Sequence, residues 1–599
     1  MLVKVVISAA VLLVGVSGQT TKTASSVTFS VTKYPLETEV HKFTNMHTES
    51  IATVTYNDGT TAASAFTYKP WFKTGELVPN GEGGFILAGG YYDSKMAPII
   101  DTSVTSNPRQ FYSDCPDGMS MMTLASPTVP GVKGNTVFAV VQFEYLTANQ
   151  AGSSMYGLLP SPYAILTLDQ DKTTGELSLV KYAPVDTSSV YGIWIPCAAS
   201  LSPWGTHLSS EEYEPNTLSP ATTFLPTFST YNQLTAPTGQ TNYAGYASPY
   251  LYGHIPEVTV NADGTGTVKK HFCLGRISHE LVHVAGDEKT VLMGDDATNS
   301  GFFAFIADTA KDLSSGTLYV AKLDNSANIL DKTVATKITW IKLGKATSKE
   351  VEGWALTTKL SDIMDVRLTN PSLNTPAETG FTKIYYGGVA EWIKLNTATA
   401  DYLRKAAFLE THRYAHFVGA TMVFTKMEGT TLNLKDKVLY SAIQNAQGSM
   451  VAGAASNNGL VSIPKTVLAG AVMKLQLGCA TETDGTTATS DWMPISIQAL
   501  LVGEDLAVAT SFGDTANVNN IANPDNLKFS ETARTLFIGE DCNQHVTCTG
   551  WAYNIDTSTL TRTLTAPSGA ELTGLGAYDN INGYDQRLFT HLSTLLVDS

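Results

Sequence analysis

The chain has 599 residues, with 38 Lys and Arg against 54 Asp and Glu for a formal net charge of −16, and only 15% of its residues are charged. An acidic chain without a basic block is repelled by phosphate backbones, which excludes nucleic acid as a partner. With 43% hydrophobic residues and sparse charge, wholesale disorder is excluded as well.

The first eighteen residues read as a secretory leader. Lys4 supplies the positive start, Val5 to Val16 is an apolar run, and Val16, Ser17 and Gly18 place small residues before Gln19. A spanning helix needs about 20 apolar residues, and no later stretch offers them, so no membrane span is expected after cleavage. The mature chain, residues 19–599, is expected to be secreted (periplasmic in a bacterium) and to form a single domain. Export permits disulfides, and the six cysteines (115, 197, 273, 479, 542, 548) allow several pairings, of which Cys542 with Cys548 in "GEDCNQHVTCTG" is favoured by proximity. No C-x-x-C pair supports zinc, and no N-x-Ser/Thr acceptor is present.

Along the rest of the chain the recurring unit is a β-branched or alternating run, a Gly/Asp/Asn turn and another such run. "YAILTL" and "LSLVKY" flank "DQDKTTGE", and Glu257 to Val260 and "TVKKHF" flank "NADGTG". "TVLMGDDATNSGFFAFIAD" leads to "GTLYVAKL", and "RTLFIGED" is followed by "GWAYNIDTSTLTRTLTA". Such runs predict antiparallel hairpins, and the lack of alternating long helices argues against a βαβ architecture. At roughly 40 to 50 residues per blade, an all-β propeller of about six blades uses this length economically. Two segments interrupt the pattern. The Pro/Thr/Ser-rich residues 219–241 are expected to form an ordered loop or lid over one face. Residues 346–410, which include "DYLRKAAFLETHRYA", are expected to form an insertion of short helices.

The string "SPWGTHLSSEEYEPN" packs Glu211, Glu212 and Glu214 beside His207. Adjacent carboxylates repel and stay together at low cost only when solvated or held by cations. Acidic or carboxamide groups recur at strand ends: Glu280 in "GRISHE", Asp295 and Asp296 in "GDD", Glu428 in "KMEG", Asp525 and Asn526 in "NPDN", Glu540 and Asp541 in "GED", Glu571 in "GAELTG". In a propeller, strand ends surround a central channel, where carboxylates from successive blades converge on hard cations such as calcium or ferric iron.

Together, "CAASLSPWGTHLSSEEYEP", "GRISHE", "GDDATNSGFFAFIADTAKDLSSGTLYVAK", "AFLETHRYAHFVGATMVFTKMEG" and "NPDNLKFSETARTLFIGED" resemble the PhoX-type alkaline phosphatases over residues 80–590. The resemblance implies a propeller phosphomonoesterase acting on small phosphorylated substrates, with calcium and a pair of irons in its channel. Carried over position by position, Glu211 and Glu212 match the paired acids, Glu280 the His-Glu step, Glu428 the acid of Arg-Pro-Glu-Gly, Asp525 and Asn526 the Pro-Asp-Asn pair, and Glu571 the late acid; Asp296, from its place among the strand-end acids, is a further candidate metal ligand. The family's phosphate-binding arginine falls on Lys426, which keeps the charge but loses the bidentate fork. A cysteine expected immediately before the Glu-Glu pair as an iron ligand falls on Ser210, and Thr590-His591-Leu592 keeps only the histidine of the closing Gln-His-Pro. Lys426 and Arg276 are the candidates for stabilising developing charge, and His207 for a supporting donor or acid.

The same residues also spell a competing motif. His279-Glu280-Leu281-Val282-His283 spells H-E-x-x-H, a zinc-peptidase motif that requires a helix, yet Lys289 occupies the third-ligand position. A non-catalytic, calcium-stabilised extracellular propeller and a calcium-dependent, lactonase-like hydrolase are the alternative readings. G-x-S-x-G, P-loop and G-x-G-x-x-G motifs are absent.

Overall fold

The structure is a computed structural model that describes residues 10–13, 22, 24–324 and 328–594, with side chains described outside 10–13 and 584–594. Among the described residues, strands dominate and every named strand pairing is antiparallel. The hairpins expected from the turn signals form: Tyr163–Gln170 pairs with Leu177–Pro184, Ile255–Val260 with Gly266–His271, and Thr549–Asn554 with Thr559–Thr565.

Six sheets radiate from an axis, each opening with an inner strand. The inner strands are Pro116–Met122, Ser200–Leu201, His279–Val284, Met427–Asn433, Pro524–Ser530 and Ala570–Ile581. Each packs on the next, and the last packs on the first, so the ring closes as a six-bladed propeller. Blades three and four also join at their outer edges, where Thr336–Thr347 pairs with Met493–Val502. Blade six adds Tyr584–Thr594, Ala10–Leu13 and Thr67–Pro70, so segments from both ends of the chain complete it.

Strand patterning explains why the blades stack. Both faces of a blade are covered by neighbours, so its strands are apolar throughout rather than alternating. In Asn135–Phe143, Val137, Ala139 and Val141 pack toward blade six with Met119, Met121 and Ile581, while Phe138 and Val140 pack toward blade two with Val258 and Val260.

The segment 219–241 is ordered. It contains the helix Leu225–Tyr231, whose Phe228 packs on Trp194 and Tyr252. The insertion is not purely helical as expected. Besides Ser348–Thr357, Leu360–Ile363 and Tyr402–Leu409 it holds a three-stranded sheet of Met364–Arg367, Val389–Leu395 and Thr382–Tyr386, and a further helix, Thr411–Phe417, extends past residue 410. Of the expected leader, only Ala10–Leu13 is among the described residues. No helix among the described residues is long and apolar enough to cross a membrane. Cys542 and Cys548 form a disulfide.

Candidate metal centre

The ring brings two positions of each hairpin to one mouth, because the start of an inner strand and the end of the strand paired with it lie at the same rim. The first position is the second residue of the inner strand: Asp117, Glu280, Glu428, Asp525 and Glu571 in blades one, three, four, five and six. In four of these strands the pairing register breaks at that residue, between Pro116 and Met119, His279 and Val282, Met427 and Thr430, and Pro524 and Leu527. A bulge of this kind re-aims the side chain it carries, here toward the channel. Close packing of the bulges requires glycine. A Cβ on Gly118 would lie 2.7 Å from the Ala199 nitrogen, and one on Gly429 2.7 Å from the Asp525 carbonyl oxygen.

The second position follows the next strand: Glu144 after Asn135–Phe143, Glu212 in the segment after His207–Leu208, Asp296 after Thr290–Asp295, Gln444 after Val438–Ile443 and Asp541 after Thr535–Glu540. The two positions come together around a cavity of about 220 Å³ lined by Glu144, Glu212, Asp296, Glu428, Asp525, Asp541 and Glu571, with Cys197, Gln444, three tyrosines and Lys426. At and just behind its wall, four trios place their ligand atoms within 4.8 Å of one another: Glu144, Cys197 and Glu212; Asp117, Glu144 and Glu571; Glu212, Glu280 and Asp296; Glu280, Glu428 and Asp525. Shared members link the trios into one arc.

Among the described residues lining the cavity, Lys426 is the only cation. Its Nζ lies 2.6 Å from Asp296 Oδ2 and 3.2 Å from Glu428 Oε1, and it donates to the Tyr213 hydroxyl at 3.0 Å. Tyr213 in turn donates to Asp296 Oδ2 at 2.5 Å. Lys426 and Tyr213 both hold left-handed backbone, with φ of 52° and 45°. Such strain in non-glycine residues costs of order 1 kcal/mol or more and collects at functional sites.

One lysine does not balance this cluster. Two carboxylates 4 Å apart repel by about 4 kcal/mol at an effective dielectric of about 20. Burial and mutual repulsion raise Asp117 to about 7 and Asp525 to about 8, and push Glu144, Glu212, Glu280, Glu428 and Glu571 well above the ordinary range. Burial alone would raise Asp296 too, but Lys426 and the hydrogen bonds it receives hold it below its usual value. Both oxygens of fully buried Glu280, and Oδ1 of Asp296, lack any hydrogen-bond partner. Orphaned, crowded carboxylate oxygens of this kind fit hard cations, and the Cys197 thiol adds a softer donor.

The acidic doublets divide into two roles. The second member of each, Glu212, Asp296 or Asp541, faces the cavity; the first is anchored away from it. Glu211 accepts from Lys270 Nζ at 2.8 Å and from the backbone of Trp194, Gly253 and His254 at 3.0, 3.0 and 3.2 Å. Asp295 meets His412 Nε2 at 2.7 Å, and Glu540 meets His545 Nδ1 at 2.9 Å. His412, from the helix Thr411–Phe417, also meets Glu214 at 3.1 Å. Burial opposes its charge, but these two carboxylates raise it to about 10.

Several residues expected at the site sit elsewhere. Glu211 carries none of the cavity, because its oxygens are occupied by the donors just named. Arg276 is turned onto backbone carbonyls, with Nε 2.9 Å from Tyr252 O and a terminal nitrogen 2.5 Å from Pro215 O. Buried His207 bridges Ser120 Oγ at 2.8 Å and Gln142 Oε1 at 3.0 Å, and burial lowers it to about 3, which leaves it neutral. It acts behind the site, since Gln142 donates to the Cys197 carbonyl. Asn526 donates to Asp525 Oδ1 at 2.6 Å and does not line the cavity. Ser210, at the position where the resemblance implies an iron-ligating cysteine, does not line the cavity. Ser210 Oγ accepts from Cys197 N and donates to Ala198 O, both at 3.0 Å, while Cys197 itself brings a thiol to Glu144 and Glu212. The H-E-x-x-H peptidase reading fails because His279–Val284 is a strand. The His591 side chain lies outside the described ones.

Asp117, Glu144 and Cys197 escaped sequence reasoning. The signal for Asp117 was present, since "PDG" matches "PDN" and "MEG" at the same strand position, and Glu144 is the lone acid closing the apolar run "NTVFAVVQF".

Against solved structures, the chain is similar to Pseudomonas fluorescens PhoX in complex with vanadate, a transition state analogue, with 15% identity, 98% of each chain covered and a TM-score of 0.52. The periplasmic gluconolactonase PpgL of Pseudomonas aeruginosa aligns at 12% identity over 80% of this chain and 95% of its own, with a TM-score of 0.26. Comparison with curated protein sequences gives no match. The family model described as alkaline phosphatase PhoX matches residues 173–580, and the chain belongs to that family of alkaline-phosphatase-like, metal-dependent hydrolases.

Proposed function

We propose that this chain is an exported, metal-dependent phosphomonoesterase that takes small phosphate esters. The observation that carries this reading is the cavity itself: an arc of buried carboxylates and one thiol, with orphaned oxygens and a single lysine at its edge. Glu144, Cys197 and Glu212 would hold iron, as the mixed thiolate and carboxylate set suits it, and the carboxylate trios around Glu280 and Glu571 would hold calcium. When bound, such cations neutralise phosphate oxygens and make water a nucleophile near neutral pH.

The chain's own groups perform the rest. Lys426, whose side chain is 30% exposed while its carboxylate partners are buried, is the group free to turn toward an incoming phosphate oxygen. In doing so it exchanges Asp296 and Glu428 for the substrate, and the Tyr213 hydroxyl keeps its end fixed. A lysine offers a point charge rather than a fork, so it orients the phosphate less strictly than arginine does. Export rests on the apolar run after Lys4; cleavage after Gly18 would remove Ala10–Leu13 from blade six and leave its inner hairpin in place.

The test is phosphate release from phenyl phosphate by protein supplied with calcium and iron, with and without chelator. Chelator-sensitive release is the expected result. Bound calcium without hydrolysis would instead make the chain a structural propeller, and chelator-sensitive lactone opening without phosphate release would select the lactonase reading.

A further inference from the structure

The mouth of the cavity is not uniform around the ring. In blades one and two the acid facing the channel is followed by tyrosine, Glu144 by Tyr145 and Glu212 by Tyr213, whereas Asp296, Gln444 and Asp541 are followed by Ala297, Asn445 and Cys542. Tyr156 joins Tyr145 and Tyr213 in lining the cavity. Its ring centroid lies 4.8 Å from that of Tyr145 and 5.9 Å from that of Phe224, both edge to face. Phe224 belongs to the ordered segment 219–241 and is 46% exposed, although the helix that follows it buries Leu225 and Phe228. Its position is built in. The ring lies over Gly157, where a Cβ would come within 2.7 Å of it.

We infer that Tyr145, Tyr156 and Phe224 form a stacking wall for the leaving group, and that the preferred substrates are phosphate monoesters whose alcohol carries a flat aromatic ring, such as a nucleobase. This rests on the phosphomonoesterase reading and names the substrate class of the same site. The carboxylate arc and Lys426 fix where the phosphate sits, so the ester group must leave through the mouth, past whichever side wall it meets. On the side of blades one and two that wall is aromatic and partly open. Aromatic faces bind other flat rings in offset or edge-to-face contact and tolerate any base, because every base has a π face. An aliphatic polyol gains nothing from them.

Adenosine 5′-monophosphate and ribose 5-phosphate test this cleanly, since both release a primary alcohol and differ in the base. The metal-loaded protein is expected to show kcat/KM about tenfold higher for the nucleotide, a stacking-sized effect. Phe224→Ala should erase most of that ratio, acting on KM for the nucleotide, and Phe224→Trp should restore it. Tyr156→Leu provides a second reading if the first variant folds poorly. Equal kcat/KM for the two substrates, or equal losses for both in Phe224→Ala, would overturn the wall while leaving the phosphomonoesterase reading intact. If neither substrate is hydrolysed, that reading fails instead, and equal affinities of the two in calorimetry would then sink the wall as well.

Discussion

Glu211 and Glu212 are neighbours in sequence, both fully buried and both raised by that burial, yet their surroundings differ. Glu211 is met by a lysine and three backbone donors, whereas Glu212 faces other carboxylates and is pushed well above the usual carboxylate range by burial and by Asp296 and Glu280. Asp295 and Asp296 repeat the division with His412, and Glu540 and Asp541 with His545. Successive extended residues point to opposite sides, so a doublet can place one acid behind the rim and one in front of it. In each doublet a protein cation meets the rear acid; of the three front acids Asp296 also meets one, Lys426 at 2.6 Å, while Glu212 and Asp541 face the other carboxylates of the cavity. Each front acid is thereby held by a neighbour whose own electrostatics are already satisfied.

Breaking the rear layer should have the largest effect. Glu211→Ala leaves Lys270 buried without its carboxylate, a loss of about 3–5 kcal/mol that should appear in urea unfolding with or without metal. Glu212→Ala removes a repelling charge, so the metal-free protein should be no less stable than the parent. Equal losses from the two variants would end the distinction. Glu280→Gln, isosteric and in the front layer, should lower metal affinity and phenyl phosphate hydrolysis by about 100-fold with folding kept, because removing one ligand costs at least what a supporting partner does.

The pH response sharpens the same contrast. Apart from Asp296, which Lys426 holds low, the front acids have raised values in the folded state, with Asp117 at about 7 and Asp525 at about 8. The metal-free folded protein therefore binds more protons than the unfolded chain between the ordinary carboxylate value of about 4 and about 8, and its stability must fall as pH rises through that window. Thermal unfolding should show this decline without metal and lose it when metal is added. The rear layer behaves differently: the contribution of His412, raised to about 10, is full below its ordinary value of about 6.5 and disappears as pH rises through about 10. The smallest expected effect is that of Cys197→Ser, which should leave unfolding nearly unchanged and shift metal preference from iron toward calcium, read by elemental analysis.

Much of this was legible in the sequence. Hairpins were readable because apolar β-branched runs end at Gly, Asp and Asn turns, and the channel acids because several sit in short strings at strand ends. Glu280 and Asp296, Glu428 and Gln444, and Asp525 and Asp541 share one spacing, the length of a hairpin from the start of an inner strand to the rim beyond its partner. What stayed hidden was direction. Nothing in "GRISHE" tells that Arg276 turns onto the Pro215 and Tyr252 carbonyls rather than into the channel. In "SSEEYE" nothing separates the rear acid from the front one, because the cation for Glu211 arrives from Lys270 on a distant strand. The thiol comes not from beside the Glu-Glu pair but from Cys197, which reaches Glu212 from the other arm of the hairpin of Ser200–Leu201 and His207–Leu208, its backbone held by Ser210.

The most direct test of the central claim, that metal ions and not protons neutralise the front acids, is the metal content of protein purified without chelator, measured by elemental mass spectrometry alongside Glu280→Gln. Several bound metal equivalents per chain are predicted, with a clear drop in the variant. Metal-free protein that hydrolyses phenyl phosphate at full rate in excess chelator would contradict it.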